Sequence, residues 1–260
     1  MNPPESYFYG QGRVSIAVRD PSTGVPGPFR WIGDVSAFSI KLTTQQVEHK
    51  ESYSGQRALV TSFPSEKAAN VDMTMHQMDP ENLALVLYGS TTSAVAGTAT
   101  AEAFPATVAV GDDVYLANPG VSALVITDST PTTPLTLVLG TDYTVDPNFG
   151  RVTILDLGAF VQPFKAAYSY AARKSVGMFT TGQPQLAMRY EGINLAEGNA
   201  PTLVELYKVA PGVVQDLALI TTGNDVAGLQ ITGGVLLDSS RPAVGGLGQF
   251  GAITQIGAPA

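Results

Sequence analysis

The chain has 260 residues, 44% of them hydrophobic and 14% charged, with a formal net charge of −8 and no cysteine. That composition excludes a disordered chain and leaves room for one large or two modest folded domains. It also excludes disulfides and thiolate metal sites, speaks against free nucleic-acid binding, which needs a positive surface to displace counterions, and contains no apolar run near the ~20 residues of a membrane span.

Met1–Glu5 has neither a basic region nor an apolar core, so it is not expected to act as a signal peptide. The first patterned stretch is Phe38, Ile40 and Leu42 alternating with Ser39, Lys41 and Thr43, which predicts a strand over 36–43 with one wet face. The chain then turns polar without a break over 48–57, EHKESYSGQR. Glu48, Lys50, Glu51, Tyr53 and Arg57 lie on this strand-like extension with no evident partner inside it, so they are expected to touch another subunit; the alternative is a solvated hairpin. Residues 70–77 repeat the alternation, with Val71, Met73 and Met75 against Asp72, Thr74 and His76. Parity buries Phe38, Ile40, Leu42, Val71, Met73 and Met75. It leaves Ser39, Lys41, Thr43, Asp72, Thr74 and His76 on a shared, nearly neutral polar face.

Met78–Gly89 reads as a helix. Asp79 can cap it, Pro80 fits the first helical position, Glu81 suits the positive dipole end and Gly89 can stop it. Residues 91–100, small and polar, read as a linker. Between Thr98 and Ala172 two basic residues stand against seven acidic ones, and short strands are expected at 107–116, 123–128, 135–139, 143–145, 151–155 and 164–170. The stretch DYTVDPNFGR, 142–151, is a hairpin pattern. Residues 98–172 are therefore expected to form a small β-sandwich inserted into a discontinuous main domain, 1–97 and 173–260. Further strands are expected at 185–191, 202–208, 213–221 and 228–237, and a Gly- and Ala-rich tail, 245–260, mobile or docked on a neighbour.

No set of residues converges on chemistry. His49 and His76 are the only histidines and both fall on polar parity, which does not make a zinc site. There is no Gly-x-Ser-x-Gly elbow. Gly10-Gln11-Gly12 and the 245–251 run GGLGQFG lack the Lys-Ser/Thr and strand–loop–helix context of a phosphate loop. Asp142, Asp146 and Asn148 do not match a calcium loop, and Asp112-Asp113 reads as a solvated turn. No enzyme, metal or cofactor is expected.

Tyr9–Val14 (YGQGRV), Trp31–Val35 (WIGDV) and residues 48–55 (EHKESYSG) resemble the N-terminal half of the major tail proteins of long-tailed phages. Tyr190–Asn194 (YEGIN), Val204–Lys208 (VELYK) and Gly234–Asp238 (GVLLD) resemble the C-terminal half, in the same order. The resemblance implies a tail-tube β-sandwich or barrel with one flanking helix, assembling into hexameric rings stacked as a hollow tube. In that family the long loop corresponding to 48–57 reaches an adjacent ring, and the polar face of strands 36–43 and 70–77 is the candidate lumen wall. The implied partners are other copies, the tape-measure, terminator and distal tail proteins, and DNA in transit, with the virion as location and no membrane insertion. The alternatives are a tube protein of a contractile or secretion-related injection system and, in a different class, a carbohydrate-binding β-sandwich, which calls for exposed aromatics clustered on one face.

Overall fold

The computed structural model describes residues 7–222, 226–243 and 247–257. Met1–Glu5 and residues 245–246 and 258–260 of the tail lie outside the described residues. The strands are β1 (Gly10–Val18), β2 (Arg30–Trp31), β3 (Val35–Lys50), β4 (Leu59–Met75), β5 (Thr91–Ala94), β6 (Gly97–Ala103), β7 (Asp113–Tyr115), β8 (Val121–Thr127), β9 (Tyr143–Asp146), β10 (Arg151–Ile154), β11 (Lys165–Tyr170), β12 (Arg173–Val176), β13 (Leu186–Asn194), β14 (Ala200–Pro211), β15 (Leu229–Val235) and β16 (Gly251–Gln255). The fold is mainly β, and among the described residues there is one α-helix, α1 (Pro80–Val86). The chain divides into two compact units, Met1–Thr91 with Val176–Ala260, and Thr92–Ser175.

The first unit is one antiparallel sheet in the order β2-β1-β13-β14-β15-β4-β3, with β16 added to β14. Strand length and alternation set what each strand buries. Val14 and Ile16 of β1, Leu186 and Met188 of β13, Leu229 and Ile231 of β15, and Val71, Met73 and Met75 of β4 all point into one core. The Phe38 ring of β3 stacks on Tyr190 of β13 at 5.6 Å, so the sheet curls until its β3 end lies over β13. Five of the six residues assigned inward by parity follow the assignment, with Phe38 and Ile40 half-buried against the core. Leu42 does not: it is 78% exposed. The alternation is intact, because Leu42 sits opposite Ala69, but Ala69 is also where β15 ends its pairing with β4. Beyond that pair no layer covers the hairpin.

Helix α1 closes the core with Leu85 and Val86. Asp79 caps it by accepting from Asn82 N at 2.8 Å, with Pro80 and Glu81 in the first turn. The helix stops before Gly89 as expected, and Tyr88 takes the left-handed conformation, with φ of 48°. Gly89 N donates to Ala84 O at 2.8 Å, closing a Schellman turn. Gly89 is needed there for another reason: a Cβ would stand 1.9 Å from Gly177 O. Inside the helix, Asn82 is fully buried. Its Nδ2 donates to Ile32 O and Gln77 O, both at 2.9 Å, and its Oδ1 accepts from Arg30 Nη1 at 2.6 Å, tying α1 to the ends of β2 and β4. A second buried tie is Arg19, whose Nη1 donates to Asp238 Oδ2 at 3.0 Å and to the Tyr207 carbonyl.

Residues 213–221 form no strand; after β14 the chain crosses the end of α1, where Val214 N donates to Val86 O at 2.9 Å. The tail is not loose over 251–255, since β16 pairs with β14 from Thr202 to Leu206. Small Gly251 permits this approach, because a Cβ would meet Glu205 O at 2.5 Å.

The second unit holds two three-stranded sheets, β7-β10-β9 and β6-β11-β8. Val114, Val152 and Ile154 from one and Ile126, Ala166 and Tyr168 from the other share a core with Phe104 and Phe164. The stretch expected as a linker, 91–100, is instead β5 and the start of β6, and β5 pairs with β12 as a two-stranded ribbon. The expected strand 107–116 shortens to β7 after a turn at 110–111, and 135–139 contributes only isolated bridges. The acidity of this unit is spent internally. Asp112, Asp142, Asp146 and Asp156 each accept a backbone N–H of their own turn, Glu102 accepts from Ala117 N, and Asp113 accepts from the Thr153 hydroxyl. Asp128 is 1% exposed. Burial pushes its carboxyl up, but the Thr130 hydroxyl and the amides of Val161, Leu135 and Thr130 outweigh it and hold it at about 2.

Two outcomes follow from this architecture. Asn82→Leu strands two buried carbonyls and costs about 2–3 kcal/mol, measured by urea unfolding; an unchanged midpoint would mean that α1 is held by its apolar face alone. Residues 92–175 expressed alone give a folded protein with a cooperative melt, because their core is their own; an unstructured product would show that the main unit is needed to complete it.

Candidate assembly surface

The hairpin of β3 and β4 starts as part of the main sheet and continues as a two-stranded arm. Register runs from Val35 opposite Met75 to Lys50 opposite Leu59, with irregularities at Ser36, Ser65 and Val60. From Lys41 to Ala68 every residue is exposed except Glu51. Alternating Thr, Gln, Val and Ser side chains suit paired strands without demanding a core. The arm nevertheless carries apolar groups on bare backbone: Val47 directly opposite Phe63, with Leu42, Leu59 and Val60 also exposed. An isolated two-stranded hairpin is at best marginally stable in water. Its outer edge, along β3, offers free N–H and C=O groups that template pairing.

The five residues expected to make contacts fall into two groups. Glu48 and Lys50 are on β3 of the arm, one face apart from Val47 and His49. Tyr53 and Arg57 are in the connecting turn, Tyr53 being 87% exposed. Glu51 departs from expectation because it has partners within its own segment. Its carboxylate accepts from the Ser54 hydroxyl, Ser54 N at 2.8 Å, Tyr53 N at 3.0 Å and Ala58 N at 3.5 Å, while its own N–H donates to Ala58 O at 2.9 Å. It is a turn-forming residue, 6% exposed. The Ser54 hydroxyl first, then the Ser54 amide, hold its carboxyl at about 2, against an ordinary 4.5. Gly55 and Arg57 complete the turn with φ of 81° and 51°.

The polar face is arranged as parity requires. Ser39 lies opposite Asp72 and Lys41 opposite Asn70, with Thr43 and Thr74 on the same side. Lys41 Nζ lies 2.7 Å from Asp72 Oδ2, and this bond, then one from the Thr232 hydroxyl, lowers the Asp72 carboxyl below its ordinary range. The pair is open to solvent, where screening leaves it little weight in stability. His76 lies past the end of β4, where its ring nitrogens meet Ser36 Oγ at 2.8 Å and Ala227 O at 3.1 Å. The face therefore carries few uncommitted charges.

Where the curled sheet fails to close, between β3 and the β1–β13–β14–β16 side, there is an open cleft of about 1130 Å³. Phe8, Tyr9, Phe38, Ile40, Tyr190 and Ile253 give it an apolar lining, and Asp34 is the charged group among its walls. Phe8, Tyr9 and Ile253 are each more than 60% exposed. Among the described residues no three His, Asp or Glu side chains gather in a way that could hold a metal ion, and no helix is long and apolar enough to cross a membrane.

A family model described as "Protein of unknown function UCP028589" matches residues 7–254. The chain belongs to that family. The matched span includes all of Thr92–Ser175, so the second unit lies within the UCP028589 pattern. No curated protein sequence matches the chain.

Sequence reasoning located the arm but missed the cleft. Its lining comes from five strands far apart in the chain, and only exposed Phe8 and Tyr9, flanking the first strand, hint at it. For this member of UCP028589 the Glu51 lock has a defined pH window. The folded carboxyl sits below its unfolded value, so the bonds are fully present above about 4.5 and are lost as pH falls through about 2. Amide protection at Tyr53, Ser54 and Ala58, taken relative to the intrinsic exchange rate at each pH, should fall as pH drops through that window, and should be low at neutral pH in Glu51→Ala. Exchange insensitive to both would show that the turn is held by its backbone alone.

Proposed function

We propose that this chain is a structural subunit that assembles with copies of itself into hexameric rings, stacked as the hollow tail tube of a long-tailed phage through which DNA is delivered. The observation that carries the reading is the arm: a paired hairpin, exposed from Lys41 to Ala68 on both faces, is stable only where another surface covers it. A free β3 edge supports lateral joining of sheets, which removes a template for aggregation. An arm that contacts a different patch on the next copy is a heterologous contact, and such contacts build closed rings or open filaments. The nearly neutral polar face of Ser39, Lys41, Thr43, Asp72 and Thr74 is the proposed lumen wall, hydrated and without the positive charge that would hold DNA. Glu48, Lys50, Tyr53 and Arg57 are the proposed contacts between subunits, with Glu51 shaping their turn. The tape-measure, terminator and distal tail proteins are the proposed further partners, and the virion the proposed location.

Negative-stain microscopy and sedimentation of the concentrated protein, with and without tail-initiating components, test the reading: rings or tubes are expected, and a strict monomer under all these conditions would sink it. Lys50→Glu with Arg57→Glu should weaken stacking while leaving monomer melting unchanged. Each exposed pair is worth only about 0–1 kcal/mol, but the loss recurs in every subunit. Normal assembly of this double variant would remove these residues from the interface.

A further inference from the structure

Resting on that reading, we infer that the receptor for the arm is the apolar cleft of a second copy, the one walled by Phe8, Tyr9, Phe38, Ile40, Tyr190 and Ile253. Both surfaces are incomplete in the single chain. The arm presents Leu42, Val47, Leu59, Val60 and Phe63, all exposed, with nothing over them among the described residues. Among the described residues, the cleft presents aromatic and aliphatic side chains with nothing between them. At about 1130 Å³ it exceeds the roughly 300–1,000 Å³ of a small-molecule pocket, and it is open along its side, which suits a polypeptide.

The arm cannot fill the cleft of its own chain. Val35, Ser36, Phe38 and Ile40 of β3 form one wall of it, and the same strand then leaves as the arm. At roughly 3.3 Å per residue, Lys50 stands roughly 33 Å beyond Ile40. A paired hairpin cannot double back across its own base, so the occupant comes from another molecule. Size agrees: a stable interface engages about 20–30 residues a side, and the stretch from Lys41 to Ala68 offers that number. Charge agrees as well. From Lys41 to Ala68 the arm sets Lys41, Lys50, Arg57 and Lys67 against Glu48, Glu51 and Glu66, a slight positive excess, and the cleft holds Asp34, so neither surface repels the other. Each copy carries one arm and one cleft. Arm into cleft is then a head-to-tail contact that repeats from copy to copy.

The cysteine-free chain makes the test direct. The pair Val47→Cys and Ile253→Cys joins an exposed arm residue to an exposed cleft residue, and Phe63→Cys with Tyr9→Cys is an independent second pair; all four positions lie outside the buried core. The full-length protein is treated with a short thiol-to-thiol cross-linker under assembly conditions and run on a denaturing gel. Chains carrying both cysteines should give a ladder of dimers, trimers and higher species, whereas a mixture of the two single variants should stop at dimers. A second-unit control, Val47→Cys with Val95→Cys, should give no ladder. Rings or tubes visible by microscopy, with both arm–cleft pairs running as monomers, would overturn the receptor assignment and leave the tube reading standing. Arm–cleft links formed in closed dimers without rings or tubes would support the contact and overturn the tube. No assembly and no links would overturn both.

Discussion

The pairing of β15 with β4 extends only from Ala69 to Met75, and the rest of the first unit depends on where it stops. On one side of that limit β4 is a central strand with Val71, Met73 and Met75 in the core, and β3 is carried beside it with Phe38 stacked on Tyr190. On the other side the same two strands continue with no third strand and no covering layer. Leu42 is the residue at which this happens: inward by parity, exposed by context. A chain in which β15 ran longer would have a wider sheet and no arm. The short β15 leaves a hairpin whose two strands pair with each other but whose outer edges and faces have no partner among the described residues.

The charged groups of this molecule work mostly within their own neighbourhoods. Glu51 ties the arm's turn, Asp128 ties a turn of the second unit, Asp79 caps α1, and Arg19 is held by Asp238 in a buried pair. With only 14% charged residues, this spending leaves little charge for recognition at the surface. The unsatisfied part of the surface is instead apolar and topological: an uncovered arm, a free β3 edge and an open cleft. These features support the proposed assembly on a physical basis separate from motif resemblance.

The two units differ in this respect. The second has paired its strands, filled its core from both sheets and used its carboxylates on its own backbone and hydroxyl groups. Its net acidity therefore serves turn construction. Exposed Tyr115 and Phe149 stand near one edge of it, too few to make the aromatic platform that a carbohydrate-binding reading calls for. The UCP028589 match spans this unit as well as the first.

Local pattern was enough for the mainly-β class, the alternation of β3 and β4, the start of α1 and the hairpin at 143–154, because period, capping and turn chemistry act over a few residues. The same signals took β5 and the start of β6 for a linker and drew a strand through 213–221. In both cases a long-range partner decided: β12 and β11 beside β5 and β6, and Val86 bonded to Val214. The sequence by itself determined which side of each strand is apolar and that the chain turns polar after Thr43. Only the tertiary structure decided that Glu51 faces its own turn, that Leu42 is bare, and that Phe8, Tyr190 and Ile253 share one cleft. Parity records which way a side chain points; what stands in front of it depends on strands that pair from the far ends of the chain.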